Sequence, residues 1–144
     1  MTVPPREYAF AARLLVRAVE SDASGHSRAA LRATAYQLGL ELGSRVTSGR
    51  SGHGDAGAGA GTALRNLETV LAGYGYQPER RDDDTMRLRN CPFHLLARAH
   101  RDTVCAMNLA LIEGVTAGLN TGPLRPLLDP QPGQCCVIIE GEDS

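Results

Sequence analysis

No tryptophan and no lysine occur in the 144 residues, and aromatic residues make up only 4%. Hydrophobic residues reach 42%, so the chain can still build a core, made chiefly of Leu, Val, Ile and Ala. All fifteen basic residues are arginine. Together with abundant Ala and Gly, this reads as a bias toward GC-rich codons rather than as chemistry. Neither sign of charge dominates: the net charge is -1, which gives no electrostatic footprint for nucleic acid over the whole chain. No run nears the roughly 18 apolar residues of a membrane span. The start, "MTVPPREYAFAARLLVRAVE", lacks the charged, apolar and small-residue segments of a secretory signal. A cytoplasmic location with no membrane partner is therefore expected. Thiols stay reduced there, and a set of cysteines points to metal binding or catalysis rather than to disulfides.

Helical periodicity comes first along the chain. Residues 6–20 place Tyr8, Ala11, Ala12, Leu15, Val16 and Val19 at helical spacing, after Pro4 and Pro5. Residues 26–46 repeat the pattern with Leu31, Ala35, Leu38 and Leu42, and Ser27 is the expected N-cap. Residues 47–61 are rich in Gly, Ala and Ser, lack periodicity and read as a mobile loop. Their glycine spacing lacks the Gly-Lys-Ser/Thr ending of a phosphate loop. A third helix, 62–76, carries Leu64, Leu67, Val70 and Leu71, with Gly73 or Gly75 as its stop.

The second half brings the strands. A strand, an acidic turn at 82–84 and a strand at 85–89 read as a hairpin. Asn90 is the expected cap of a short helix from about 91 to 100. Asp102 is the expected cap of a longer one, 103–120, with its stripe at Val104, Met107, Leu111, Ile112, Val115 and Leu119. The tail, "TGPLRPLLDPQPGQCCVIIEGEDS", reads as strand, Pro/Gly turn and strand, the last at 137–140. The order predicts an α+β fold: several amphipathic helices with a small antiparallel sheet made of hairpins, in one domain over 1–144. No internal repeat and no helix-turn-helix with a basic recognition helix is visible.

Four cysteines carry the chemistry: Cys91, Cys105, Cys135 and Cys136. In "RNCPFHLLARAH" (89–100), Cys91 follows the expected cap Asn90, and Cys105 lies in the expected first turn after Asp102. Exposed backbone N–H groups and the helix dipole favour an anion there, so both thiols are expected to lean toward thiolate, the form that ligates metal. His94 stands three residues after Cys91, on the same helix face, so the pair is able to chelate one ion. Cys135 and Cys136 open the last strand, where alternation sends neighbours to opposite faces unless the strand bulges. Cys135 shares the more apolar face with Val137 and Ile139 and is favoured as ligand, with Cys136 left open. The spacing lacks the paired C-x2-C knuckles of a named zinc site. The plain alternative is four buried structural cysteines. His100, near a helix end, is expected to be partly exposed, and His26 and His53 have no assigned role.

"LRNCPFHLLARAHRDTVCAMNLALIEGVTAGL" followed by "LDPQPGQCCVIIE" resembles the C-terminal half of ArsR-like winged-helix transcriptional regulators of bacteria. These include the iron–sulfur-sensing repressors of the SUF assembly operon. The resemblance runs from "PPREYAFAARLL" to the end and is most specific at the Cys-Pro, Val-Cys and Gly-x-Cys-Cys motifs. The element order is also similar to vinyl-reductase-type small-ligand domains, as a likeness of fold. The resemblance implies Cys91, Cys105 and one of Cys135 or Cys136 as metal ligands, with His94 in the fourth position. Three thiolates and an imidazole suit tetrahedral Zn(II) better than an iron–sulfur cluster, since a Rieske-type cluster takes two His.

The expected function is an effector-sensing domain of a bacterial transcriptional regulator, acting as a homodimer. It would meet DNA only through a winged-helix domain absent from this chain. The alternatives are a structural zinc domain and a small-ligand module with a pocket from Leu109, Ile112, Leu124 and Val137. An enzyme built on Cys105 with His94 or His100 and Glu113 is not expected, because no nucleophile motif frames them.

Overall fold

The computed structural model describes residues 5–49, 60–82, 84–89, 91–119, 124–129 and 135–141, with backbone alone at 5–7, 47–49, 60–62, 82, 94 and 95. Helices α1 (Pro5–Glu20), α2 (His26–Gly49) and α3 (Ala60–Gly73) lead to strands β1 (Pro78–Asp82) and β2 (Thr85–Leu88). Helices α4 (His94–Ala99) and α5 (Arg101–Leu119) follow, then β3 (Leu124–Leu128) and β4 (Val137–Gly141). The fold is α+β, as the order of periodicities predicts. The sheet is antiparallel in the order β1-β2-β4-β3, so two sequence-local hairpins join through β2 and β4. Met86 lies opposite Ile139 and Leu128 opposite Val137, which sets Val137 and Ile139 on the buried face. No described helix is long and apolar enough to cross a membrane.

Local chemistry explains the helix ends. Asp22 Oδ2 accepts the Ser27 N–H at 2.9 Å and the Ser27 hydroxyl at 2.7 Å, while Asp22 Oδ1 accepts the Ser24 hydroxyl at 2.6 Å. The cap of α2 is thus delivered by Asp22 from outside the helix, and Ser27, expected as cap, lies inside it. Those same hydrogen bonds, Ser24's first, hold the Asp22 carboxyl far below its ordinary range. At the other end of the bundle, Tyr76 N–H reaches Leu71 O at 3.2 Å and Gly75 N–H reaches Ala72 O at 3.5 Å. With Gly75 at φ +97°, this closes α3 as a Schellman motif and turns the chain into β1.

The core lies between α3, α5 and the sheet. Leu64, Leu67, Leu71, Met86, Leu88, Ile112 and Ile139 are essentially removed from water. Each contributes on the order of 1.5–3 kcal/mol against conformational entropy. The α3 stripe is the one expected. The α2 stripe is so only in part: Ala35 is buried, but Leu38 is 48% exposed, and Gly39 and Gly43 are buried instead. They face Gly114 and Gly118 of α5. A Cβ at Gly39 would stand 2.8 Å from Val115 N, and one at Gly118 would stand 2.8 Å from Ser44 N. The two backbones touch, so glycine fills the seam that leucine was expected to fill.

Helix α1 also departs from expectation. Of its predicted stripe only Val16 is fully buried; Tyr8 and Leu15 are 64% and 68% exposed, and Phe10 and Leu14 are bare beside them. The expected mobile loop at 47–61 is helical at both edges, in α2 up to Gly49 and in α3 from Ala60. Its middle lies outside the described residues.

Candidate functional site

All four cysteines are free, buried and part of the core. Three stretches of chain supply them. Cys91 sits in the turn after β2, ahead of α4. Cys105 is on α5, one turn before Asn108 on the same face. Cys135 and Cys136 lie in an irregular bend before β4 begins at Val137. That bend is pinned on both sides: Cys135 N–H donates to Leu88 O at 3.1 Å, and Cys136 O accepts the Asp129 N–H at 2.6 Å. Strand alternation does not apply there, and both residues are buried in the core, where the sequence favours Cys135 and leaves Cys136 open.

The thiols are neighbours that influence one another: Cys135 is within hydrogen-bonding reach of Cys91 and Cys136, and Cys136 of Cys105. Cys135 is the acceptor at the centre. Hydrogen bonds from Cys136 and Cys91, from the Val137 N–H and from Asn108 push its thiol well below the ordinary range. The hydrogen bond to Cys135 and then burial push Cys91 and Cys136 up. Within the cluster Cys135 is the sulfur biased toward thiolate, and its neighbours toward thiol.

Two helix-start arguments fall with these positions. Helix α4 begins at His94 with Phe93 as its cap residue, so Cys91 lies outside it and is not expected to feel an N-terminal dipole. Helix α5 begins at Arg101, which puts Cys105 in the second turn rather than the first. Hydrogen bonds, not a helix start, bias the cysteines. Phe93 N–H donates to Cys91 Sγ at 3.4 Å, and Asn108 Nδ2 donates to Cys135 Sγ at 3.2 Å.

Asn108 was missed by sequence reasoning, as was Tyr76. Asn108 is fully buried, and its Oδ1 accepts the Tyr76 hydroxyl. Burial first, then the charge on the neighbouring thiols, pushes the Tyr76 phenol up, so it stays a donor. That fixes the amide: oxygen toward Tyr76, nitrogen toward sulfur. The signal was a lone amide inside the apolar run "VCAMNLALI".

The histidines are placed elsewhere or not at all. His94 opens α4, but its side chain lies outside the described residues, as does His53. His100 is half-buried and its Nδ1 pairs with Glu20 Oε1 at 2.7 Å, while Glu20 Oε2 accepts the Thr103 hydroxyl at 2.8 Å. This ties the end of α1 to the α4–α5 junction. Glu113 is exposed, and His26 is exposed. Leu109 and Leu124 pack half-buried against the core that holds Ile112 and Val137.

Among the described residues no three His, Cys, Asp or Glu side chains surround a common point as a bound ion requires. The donor chemistry is nonetheless that of a soft metal: buried cysteine sulfurs, with N–H donors aimed at Cys91 and Cys135. No protein-family model, no curated protein and no solved structure matches the chain.

Proposed function

We propose that the chain is a non-catalytic, effector-sensing domain of a cytoplasmic bacterial transcriptional regulator, and that its four cysteines capture one Zn(II). The observation that carries the reading is the convergence of every cysteine in the chain, from three separate stretches, on one buried cluster. The resemblance to ArsR-like regulators supports the regulatory role.

Zn(II) is preferred to an iron–sulfur cluster because four cysteines alone complete its tetrahedral shell, with no inorganic sulfide to supply. Cys91, Cys105, Cys135 and Cys136 would hold the ion. The ion would supply charge neutralisation for the thiolates, and Asn108 would hold Cys135 in place.

A second copy of the chain is the proposed partner. Tyr8, Phe10, Leu14 and Leu15 are each more than half exposed along α1. They leave roughly 500 Å² of apolar side chain bare, more than half of the roughly 800 Å² that each partner covers in a standard interface. DNA contact would run through a winged-helix domain, as in the regulators it resembles.

The test is metal content and a visible spectrum on protein purified without oxygen. About one Zn per chain without visible absorbance is expected. Iron with sulfide and a broad band overturns the choice of ion. No metal uptake by the reduced protein overturns the metal reading. Removal of Zn that unfolds the chain outright replaces sensing with a purely structural metal.

A further inference from the structure

A second copy can join a small α+β chain in two ways, by adding a strand to the sheet or by covering a helix face. The order β1-β2-β4-β3 makes β1 and β3 the edges of the sheet. Arg89 N–H donates to Gln77 O at 2.8 Å, so Gln77 and Glu79 turn their backbone groups toward β2, and Pro78 between them turns to the open side of β1. At the other edge Asp129 N–H donates to Cys136 O at 2.6 Å. Leu127 therefore turns toward β4, and Pro126, opposite Ile139, turns to the open side of β3. Each edge strand has five residues, and each carries a proline where an added strand would need an N–H donor. Both edges are guarded, which leaves the helices.

On α1 the body holds one flank only: Val16 is buried, and Glu20 binds His100 and Thr103. Tyr8, Phe10, Leu14 and Leu15 are bare on the rest of the helix, and Ala11 is exposed among them. Two of the large side chains come before Ala11 and Ala12, and two come after. We infer that two copies pair antiparallel through α1, about a two-fold axis beside Ala11 and Ala12. The inference rests on the second copy already proposed as the partner, and it fixes the surface, direction and register of the pairing. A two-fold interface is self-complementary. In this one Tyr8 of each copy meets Leu15 of the other, Phe10 meets Leu14, and the small alanines lie at the crossing.

Charge sets the direction. Arg13 and Arg17 are exposed in the second half of α1, and Glu7 stands in its first turn. Antiparallel copies bring Arg17 level with Glu7 of the other helix at both ends. Parallel copies set Arg13 beside Arg13 and Arg17 beside Arg17. The helix dipoles also favour the antiparallel order. Two flanks of roughly 500 Å² bury roughly 1,000 Å² together, at the low end of specific interfaces, where association is reversible.

The experiment uses the full chain, kept reduced, with light scattering over a concentration series to read its oligomeric state. A Tyr8→p-benzoylphenylalanine variant is then irradiated, and the covalent dimer is cut with trypsin and mapped by mass spectrometry. Trypsin divides α1 into 7–13, which carries the cross-linker, and 14–17. A concentration-dependent dimer with 7–13 joined to 14–17 is expected. Leu15→Arg, at a position 68% exposed, is expected to weaken the dimer about 30-fold or more and to leave the circular dichroism spectrum unchanged. A covalent dimer with 7–13 joined to 7–13 means parallel helices and overturns the inference, while the second copy stands. A dimer indifferent to Leu15→Arg lies on another surface and does the same. A chain that stays monomeric at every concentration overturns the inference and the proposed partner together, and leaves the metal reading to its own test.

Discussion

Asn108 points its amide nitrogen at Cys135 Sγ, 3.2 Å away, from a position with no exposure to water. Its other amide atom is taken by Tyr76. The centre of the thiol cluster is thus wired through one side chain to the phenol that closes α3, and both ends of that wire are open to mutation.

Asn108→Leu keeps the volume and strands the Tyr76 hydroxyl in the core, at a cost of about 1–3 kcal/mol in stability. Tyr76→Phe strands the amide oxygen at a similar cost. The double variant should recover part of the sum, with a coupling of about 1 kcal/mol or more. Urea unfolding of the four proteins checks this. Strict additivity would mean that the two groups do not share a hydrogen bond.

Asn108→Leu should also weaken Zn(II) binding by about 10–100-fold, because a ligand sulfur loses the donor that orients it. Competition with a chromophoric chelator measures it. An unchanged affinity would separate Asn108 from the site.

Gly114→Ala should destabilise the chain by about 3 kcal/mol or more, since its Cβ would stand 2.9 Å from Leu40 N and neither backbone has room to yield. Gly73→Ala is the control, because a Cβ there meets nothing within 4 Å. Thermal melts of both variants decide it, and equal melting points would contradict the close crossing of α2 and α5.

Acid should loosen the α1–α2 corner first. Asp22 and Glu20 both have lowered folded-state affinities for protons: Asp22 through Ser24 and Ser27, Glu20 through Thr103 and then His100. The unfolded chain, with ordinary values of 3.8 and 4.5, takes up protons first as the pH falls. Their stabilisation is therefore complete above those values and is lost below them. Stability measured from about pH 6 down to about pH 3 should fall, and Asp22→Asn with Glu20→Gln should flatten that slope. An unchanged slope in the double variant would assign the acid loss to other carboxylates.

The buried guanidinium of Arg87 pairs with Asp129, whose carboxylate is 44% exposed, and also donates to Asp129 O at 3.2 Å. Asp129→Ala should cost about 1–2 kcal/mol, discounted for that exposure. Because Asp129 N–H also holds Cys136 O, the variant should loosen the bend as well, seen as faster hydrogen exchange of the residue-129 amide. Arg87→Met, which removes the buried charge, should cost less than Asp129→Ala; the reverse order would mean that the pair is not what holds that corner.

The sheet and α3 were legible because they obey simple periods: Leu64, Leu67, Val70 and Leu71 at helical spacing, Val137 and Ile139 at strand spacing. The α2 stripe was legible only at Ala35, because much of the contact is made by Gly39 and Gly43, residues that carry no hydrophobic signal. The cysteines were legible as a set by their type. The placing of Cys135 and Cys136 was not, because the strand they were expected to open begins only at Val137. The helix-start argument for Cys91 misplaced a boundary by three residues, and a dipole effect confined to one turn does not survive that shift.

The α2–α5 seam has a consequence for motion. Two packed helices usually switch by letting interface side chains choose between two sets of rotamers. Here glycine faces glycine and main chain rests on main chain, so there are no rotamers to choose. The pair behaves as a fixed axle. Any rearrangement that follows chemistry at the sulfurs must then pass through the pieces hung on it: the six-residue α4, its Glu20–His100 tie to α1, and the bend at 135–136. Helix α1, with its bare apolar residues, hangs on the axle through that same tie.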